Sequence, residues 1–233
     1  KLIQIVKDTF EEGSERREKL LNMYHYFEER MCLAPASGKE HFHNAHAGGY
    51  VEHILHIVKF SKQIADLWEQ NGATINFTDE ELIFAALHHD LGKVGDLAED
   101  YYVPQDNDWW IKNRGEYYKH NGKLHYMTVT DRAVFLLQHF GIKMSEQEYL
   151  GLRLTDGMYE DANKNYYVSY QPERQLKTNI AYVLHQADLM SSVIEYDMWK
   201  RGDYDVKVEP VKQKEKSEKS KRSHELFKEL FDE

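Results

Sequence analysis

An all-α fold is predicted by three features of the 233-residue chain. Apolar residues recur at helical spacing through most of it, two capping boxes open helices, and Gly or Asn follows where the periodicity stops. The first amphipathic stretch is 14–31, SERREKLLNMYHYFEERM, with Leu20, Leu21, Tyr24, Phe27 and Met31 at helical spacing. A loop with Pro35, Gly38, Gly48 and Gly49 leads into GYVEHILHIVKFSKQIADLWEQNG. Its stripe of Val51, Ile54, Leu55, Val58, Ile64 and Leu67 stops at Asn71-Gly72. Thr78 and Glu81 form a capping box for FTDEELIFAALHHDLG, a helix expected to end near Gly92.

Between Val94 and Tyr126 the periodicity disappears and Tyr, Trp, Asn and Gly accumulate. Such a length suggests an ordered functional loop covering a site, with a short hairpin around YYVP and DWWI. Helical pattern returns in TVTDRAVFLLQHFG and in SEQEYLGLRLTDG, where Ser145 and Glu148 make the second capping box. QLKTNIAYVLHQADLMSSVIEYDMWKRG then reads as a long helix, apolar almost without a break from Ile180 to Val193 and therefore expected to be central and buried. One helical domain over 1–203 is expected, followed by a basic solvated linker at 204–222 and a short amphipathic helix at 223–233, SHELFKELFDE. The linker's VKQKEKSEKSKR carries six cations and two acids and lacks an apolar face.

Composition narrows the function classes. A formal net charge of -10 repels a polyanion over most of the surface, which disfavours a nucleic-acid partner and leaves a small anionic substrate. The single Cys32 excludes an intrachain disulfide framework and any multi-cysteine zinc site. No run reaches the roughly 20 apolar residues that span a bilayer, and the N-terminus KLIQIVKDTFEEG carries charges where a signal peptide would be apolar. No membrane association and a cytoplasmic location are the expectation. A homo-oligomer is left open.

Thirteen histidines, many of them clustered, direct attention to metal chemistry. Imidazole and carboxylate suit borderline and hard divalent ions, and a catalytic site needs three or four such ligands with positions left for water and substrate. Three helices supply them: His53 on the second, His89-Asp90 near the end of the third, and Asp188 within the apolar run of the long one. An unpaired anion beside Ala187, Leu189 and Val183 would cost several kcal/mol, so Asp188 requires a cation, whether a metal, Arg153 or Lys177. Taken singly, each residue has a plainer alternative, such as His53 capping a buried polar cluster.

The ordered set HAGGYVEHILHIV, ALHHDLGK and LHQADL resembles the HD superfamily of metal-dependent phosphohydrolases over roughly 45–195, taken as the domain core. The resemblance implies an HD-type helical bundle in which His53, His89, Asp90 and Asp188 bind the metal, with His56 and His88 in supporting or packing roles. It implies a phosphohydrolase acting on a phosphate ester of a small nucleotide, as nucleotidases and dNTP hydrolases do. Mn, Co, Fe, Zn or Ni suits the donor set, and Mg less well. Asp90 would orient the attacking water. Lys93, three residues on, would neutralise a phosphate oxygen or be a solvated helix-end lysine.

Many HD proteins hold a second metal with further histidines, for which the chain offers His120, His125 and His139. Where related proteins often carry another histidine this chain reads LTDGMY, with Thr155 and Asp156. One tightly held metal is therefore expected and a second left open. Asp156 would replace the missing ligand, act as a general base, or simply start a turn with Gly157. In the aromatic loop, Trp110 would face a base, and Arg114, Lys123 and His125 would contact the substrate, with Arg114 the first choice for phosphate. The stretch HFHNAHAGGYVEHIL is also similar to HD-type 3'-to-5' exoribonucleases, so a nuclease or phosphodiesterase acting on single strands is the alternative. A di-iron oxygenase of the same fold is a third and weaker one, because Thr155 breaks its second ligand set.

Overall fold

The computed structural model describes residues 1–203; the expected linker at 204–222 and helix at 223–233 lie outside the described residues. Ten α-helices and one two-stranded ribbon make up this region. The fold is all-α with a small hairpin insertion. At the N-terminus, KLIQIVKDTF forms α1 (Leu2–Thr9), burying Leu2 and Val6 against α2 (Glu15–Tyr26) and α5 (Asp79–His88). The expected helix over 14–31 is capped by Ser14, whose Oγ accepts from the Arg17 N–H, but it breaks at Phe27 into α2 and α3 (Glu28–Leu33). Phe27 at the break is fully buried, with its ring edge-on to those of Tyr26 and Phe140.

The scaffold of the molecule is α4 (Gly49–Gln70) lying between α5 and α10 (Ile180–Arg201). Its buried face, Val51, Ile54, Ile57, Val58 and Ile64, belongs to one apolar core with Leu82, Phe84 and Leu87 of α5 and Ile180, Val183 and Leu184 of α10. Leu67, expected on this stripe, is exposed. The second layer adds α7 (Val129–His139) and α8 (Glu146–Arg153). Both predicted capping boxes are present, so in each of α5 and α8 the N–H groups of the N-cap residue and of the third helical residue are satisfied by the local sequence.

α5 stops at His88, and the chain tightens into a 3₁₀ turn, Leu91–Val94. Asp90 sits between them with φ -104° and ψ 10°, the sparsely allowed bridge region. Gly92 is required there because a Cβ would overlap the carbonyl oxygen of Val129, the first residue of α7. The aromatic segment beyond contains β1 (Tyr102–Pro104), α6 (Asp108–Arg114) and β2 (Tyr118–His120). The YYVP strand does form a hairpin, but its antiparallel partner is Tyr118–His120 and not DWWI. DWWI is helical because Asn107 Oδ1 accepts from the Trp109 N–H at 2.9 Å and Gly115 ends the helix at φ 56°. Shorter turns and α9 (Lys164–Tyr167) lead into α10.

α10 departs from the expectation of burial all round: Leu189, Met190 and Val193 are exposed. Leu189 and Val193 belong instead to the wall of a cavity described below.

One buried ion pair ties the N-terminal helices to α8. Arg16 Nη2 lies 2.5 Å from Oε1 of the fully buried Glu148, Nη1 lies 2.8 Å from Glu80, and the guanidinium covers the Phe84 ring at 4.4 Å. Burial raises the Glu148 pKa, with Arg16 and the Ser145 N–H opposing that shift. Arg16→Met is expected to leave that carboxylate uncompensated and to cost about 3–5 kcal/mol. Arg16→Met/Glu148→Gln should cost clearly less in urea unfolding; equal losses would contradict a charge-compensation role.

Candidate metal centre

The four expected ligands converge from three segments. α4 contributes His53, the α5 terminus His89 and Asp90, and α10 Asp188. His53 Nε2 lies 3.2 Å from Asp188 Oδ1 and 3.7 Å from Asp90 Oδ2, and His89 Nε2 lies 3.6 Å from Asp90 Oδ2. Candidate ligand atoms of His53, His89 and Asp90 all fall within 4.8 Å of one another. Neither Arg153, which donates to Asn163 Oδ1, nor Lys177, whose carbonyl accepts from Asn76, is the partner of Asp188.

The hydrogen bonds around the two imidazoles fix their orientation. His89 Nδ1 donates to the Ala86 carbonyl at 2.9 Å, and His53 Nδ1 donates to Glu195 Oε2 at 3.0 Å. Both Nδ1 protons are thereby committed, which directs Nε2 of each ring toward the cluster. Both Nε2 atoms are buried and without a hydrogen-bond partner. Two imidazole nitrogens and two carboxylates thus meet where a buried cation would satisfy all of them, and the donor set fits a divalent ion.

Glu195, which is absent from the residues expected from the sequence, is joined directly to the candidate ligand His53. Fully buried, it accepts from His53 Nδ1, from His56 Nδ1 at 2.7 Å and from Ser191 Oγ at 2.9 Å. Burial opposes its ionisation, but His53 and His56 hold its pKa well below the ordinary range. Asp188, Ser191 and Glu195 stand at i, i+3 and i+7 on α10, the spacing of one helix face, and this was the available signal. His56 meets the cluster through its hydrogen bond to Glu195. His88 is a packing residue: Nδ1 donates to Phe84 O at 2.7 Å, Nε2 accepts from Tyr24 Oη at 3.1 Å, and burial lowers its pKa to about 3.

Charge in the cluster is mutually dependent. Burial opposes the ionisation of Asp90, yet Lys93, His89 and His53 hold its pKa below the usual value. Lys93 is not a solvated lysine; its side chain is mostly buried, with Nζ 2.5 Å from Asp90 Oδ2. Asp188 is likewise depressed, against burial, by His53 and His89. Burial opposes a charge on His53, but Asp188 and Glu195 outweigh it and raise its pKa to about 10.

Above the cluster lies a cavity of about 660 Å³ whose lining includes Lys93, Tyr102, Asp156, His185, Asp188 and Val193. Asp156 both starts the turn Gly157–Tyr159 and faces the cavity. Its carboxyl is raised by surrounding protein and by the charges of Asp90 and Asp188. Thr155 is buried with its hydroxyl bound to Gly151 O, and its carbonyl accepts from His185 Nδ1.

The four expected substrate residues lie outside the residues lining this cavity. Trp110 and Arg114 are exposed on α6, Lys123 pairs with Glu99 at 3.0 Å, and the exposed His125 offers its carbonyl to Arg132. From the aromatic loop it is Tyr102 that reaches the cavity. His120 is exposed and stacks on Tyr102, while the exposed His139 packs on Phe140; neither falls in a group able to hold a metal among the described residues.

Two outcomes test the centre. A His53 pKa raised from about 6.5 to about 10 means that, in the metal-free chain, the charged ring contributes stability fully present below pH 6.5 and lost as pH rises through 10. Cation binding at pH 7.5 must therefore release about one proton, seen as a buffer-dependent calorimetric heat; a buffer-independent heat would contradict this protonation scheme. Glu195→Gln should weaken metal binding by roughly 10–100-fold in competition with a chelator; unchanged affinity would remove Glu195 from the centre.

In comparisons with protein-family models, with curated proteins and with solved structures, nothing matches this chain.

Proposed function

We propose that the chain is a metal-dependent phosphohydrolase of the HD type, cleaving a phosphate ester of a small nucleotide. The observation that carries this is the convergence of His53, His89, Asp90 and Asp188, with two buried imidazole nitrogens unpartnered, at a cavity large enough for a small molecule. The order of the ligand motifs, His, then His-Asp-Leu-Gly-Lys, then Asp, supports the HD assignment. The net charge of -10 favours a small substrate over a polymer, and Phe42, Tyr102, Tyr159 and Tyr196 in the cavity wall supply flat faces for a base.

His53, His89, Asp90 and Asp188 would hold the divalent ion. Once bound, such an ion supplies Lewis acidity, making a coordinated water more acidic and polarising a phosphoryl oxygen. The chain's own groups do the rest. Glu195 and the Ala86 carbonyl orient the two imidazoles, so no reorganisation is needed at the moment of reaction. Lys93 fixes the Asp90 carboxylate and adds one positive charge to the wall that a phosphate would face. Asp156, with its pKa moved toward the working range and its carboxyl on the cavity, serves as general base for the attacking water.

The test is a screen of nucleoside mono-, di- and triphosphates and short single-stranded oligonucleotides against chain loaded with Mn, Co, Ni, Mg or Zn. Phosphate release from a nucleotide is expected. Asp188→Ala and His53→Ala should lose bound metal and at least about a hundredfold in turnover, more than typical outer-shell changes. Asp156→Asn should lower kcat with metal content unchanged. Absence of phosphoester hydrolysis with every metal, or two irons per chain with oxygen consumption, would overturn the assignment.

A further inference from the structure

The metal-ligand set and its supporting carboxylate leave one imidazole beside the centre unexplained. His43 lines the cavity, and its ring packs on that of His53, centroids 4.6 Å apart. Its Nε2 is buried without a hydrogen-bond partner, an unfavourable condition unless a partner is supplied. The unpartnered nitrogens of His53 and His89 are accounted for by a cation. That of His43 is not.

The nearest protein carboxylate is already saturated. A candidate ligand atom of His43 lies within 4.8 Å of others on His53 and Glu195, but both Glu195 oxygens are engaged by His53, His56 and Ser191. A second cation between His43 and Glu195 would have to displace these donors.

The backbone that carries His43 is held on both sides. Ser37 Oγ donates to the His43 carbonyl at 2.7 Å, and the Ala36 N–H donates to the Asn44 carbonyl at 3.0 Å. Asn44 has φ 42°, which makes it the non-glycine residue in the left-handed region among those described. Its buried amide nitrogen and oxygen also lack partners. Gly49 permits this turn, since a Cβ there would overlap the Asn44 carbonyl. Strain and unsatisfied polar groups tolerated together beside a cavity mark a segment kept for a ligand.

Of the other nitrogen donors lining the cavity, Lys93 is engaged by Asp90 and His185 Nδ1 by the Thr155 carbonyl. We infer that His43 is a substrate-binding residue whose imidazole donates a hydrogen bond to a non-bridging phosphoryl oxygen of the bound ester. This rests on the phosphohydrolase assignment and extends it to a residue outside the ligand motifs. In binding the anion, His43 gains the partner that the folded chain does not provide.

The experiment uses the 233-residue chain loaded with Mn, with inorganic phosphate as the probe. Metal content, circular dichroism and the phosphate dissociation constant are measured for wild type, His43→Ala and His43→Gln. His43→Ala is expected to keep its metal and its helical signal while phosphate binding weakens about tenfold. His43→Gln, which retains an N–H donor, should recover part of that loss. Unchanged phosphate affinity in His43→Ala overturns the inference, and so does loss of metal in both variants, which would make His43 a ligand; either result leaves the phosphohydrolase assignment standing. If wild type binds metal but neither binds phosphate nor hydrolyses an ester, both fall together.

Discussion

His53 is tied to α10 through Nδ1, which donates to Glu195, and its Nε2 lies 3.2 Å from Asp188 with no hydrogen-bond partner, while its own helix packs on α5, which delivers His89 and Asp90. The packing of α4 between α5 and α10 therefore also sets the separation of the candidate ligands. A buried set of acceptors of this kind is unfavourable without positive charge. Lys93 supplies part of that charge, and Asp188 and Glu195 favour the charged form of His53. A divalent ion is the more complete solution, because it satisfies both imidazole nitrogens and both carboxylates at once.

The rest of the chain can be understood as holding that arrangement in place. The capping box at Thr78 fixes where α5 begins, and the tight turn after His88, allowed by Gly92 against α7, turns Asp90 toward His53. The Arg16–Glu148 pair holds α8 and α2 together around the same helix. Two of the three exposed apolar residues of α10, Leu189 and Val193, form cavity wall. An apolar wall next to a charged floor lowers the local dielectric and strengthens each electrostatic contact made there.

Much of this was legible in the sequence, for identifiable reasons. Helices with strong periodicity and side-chain caps, such as α5 and α8, declare their own limits, and His53, His89, Asp90 and Asp188 stand out as polar residues at fixed places in apolar helices. Glu195 was missed because a glutamate near a helix end looks like a solvated one until its tertiary partners are known. The break at Phe27 and the helix at Trp109-Trp110 depend on tertiary packing and on a single Asn cap, which periodicity does not register. The substrate residues expected from the sequence, Trp110, Arg114, Lys123 and His125, belong to the aromatic loop, whereas the cavity is lined mainly by the 36–43 segment, the Asp156 turn and α10. Which loop lies over the centre is a tertiary property.

The central claim is that the Nε2 atoms of His53 and His89 are held free for one cation. It is tested most directly by ¹⁵N NMR of chain labelled at histidine and titrated with Cd. One ion per chain, with Nε2 of His53 and His89 shifting together and Nδ1 of both remaining protonated, is the predicted result. Saturation without a change at either Nε2, or a change at Nδ1 of His53, would contradict it.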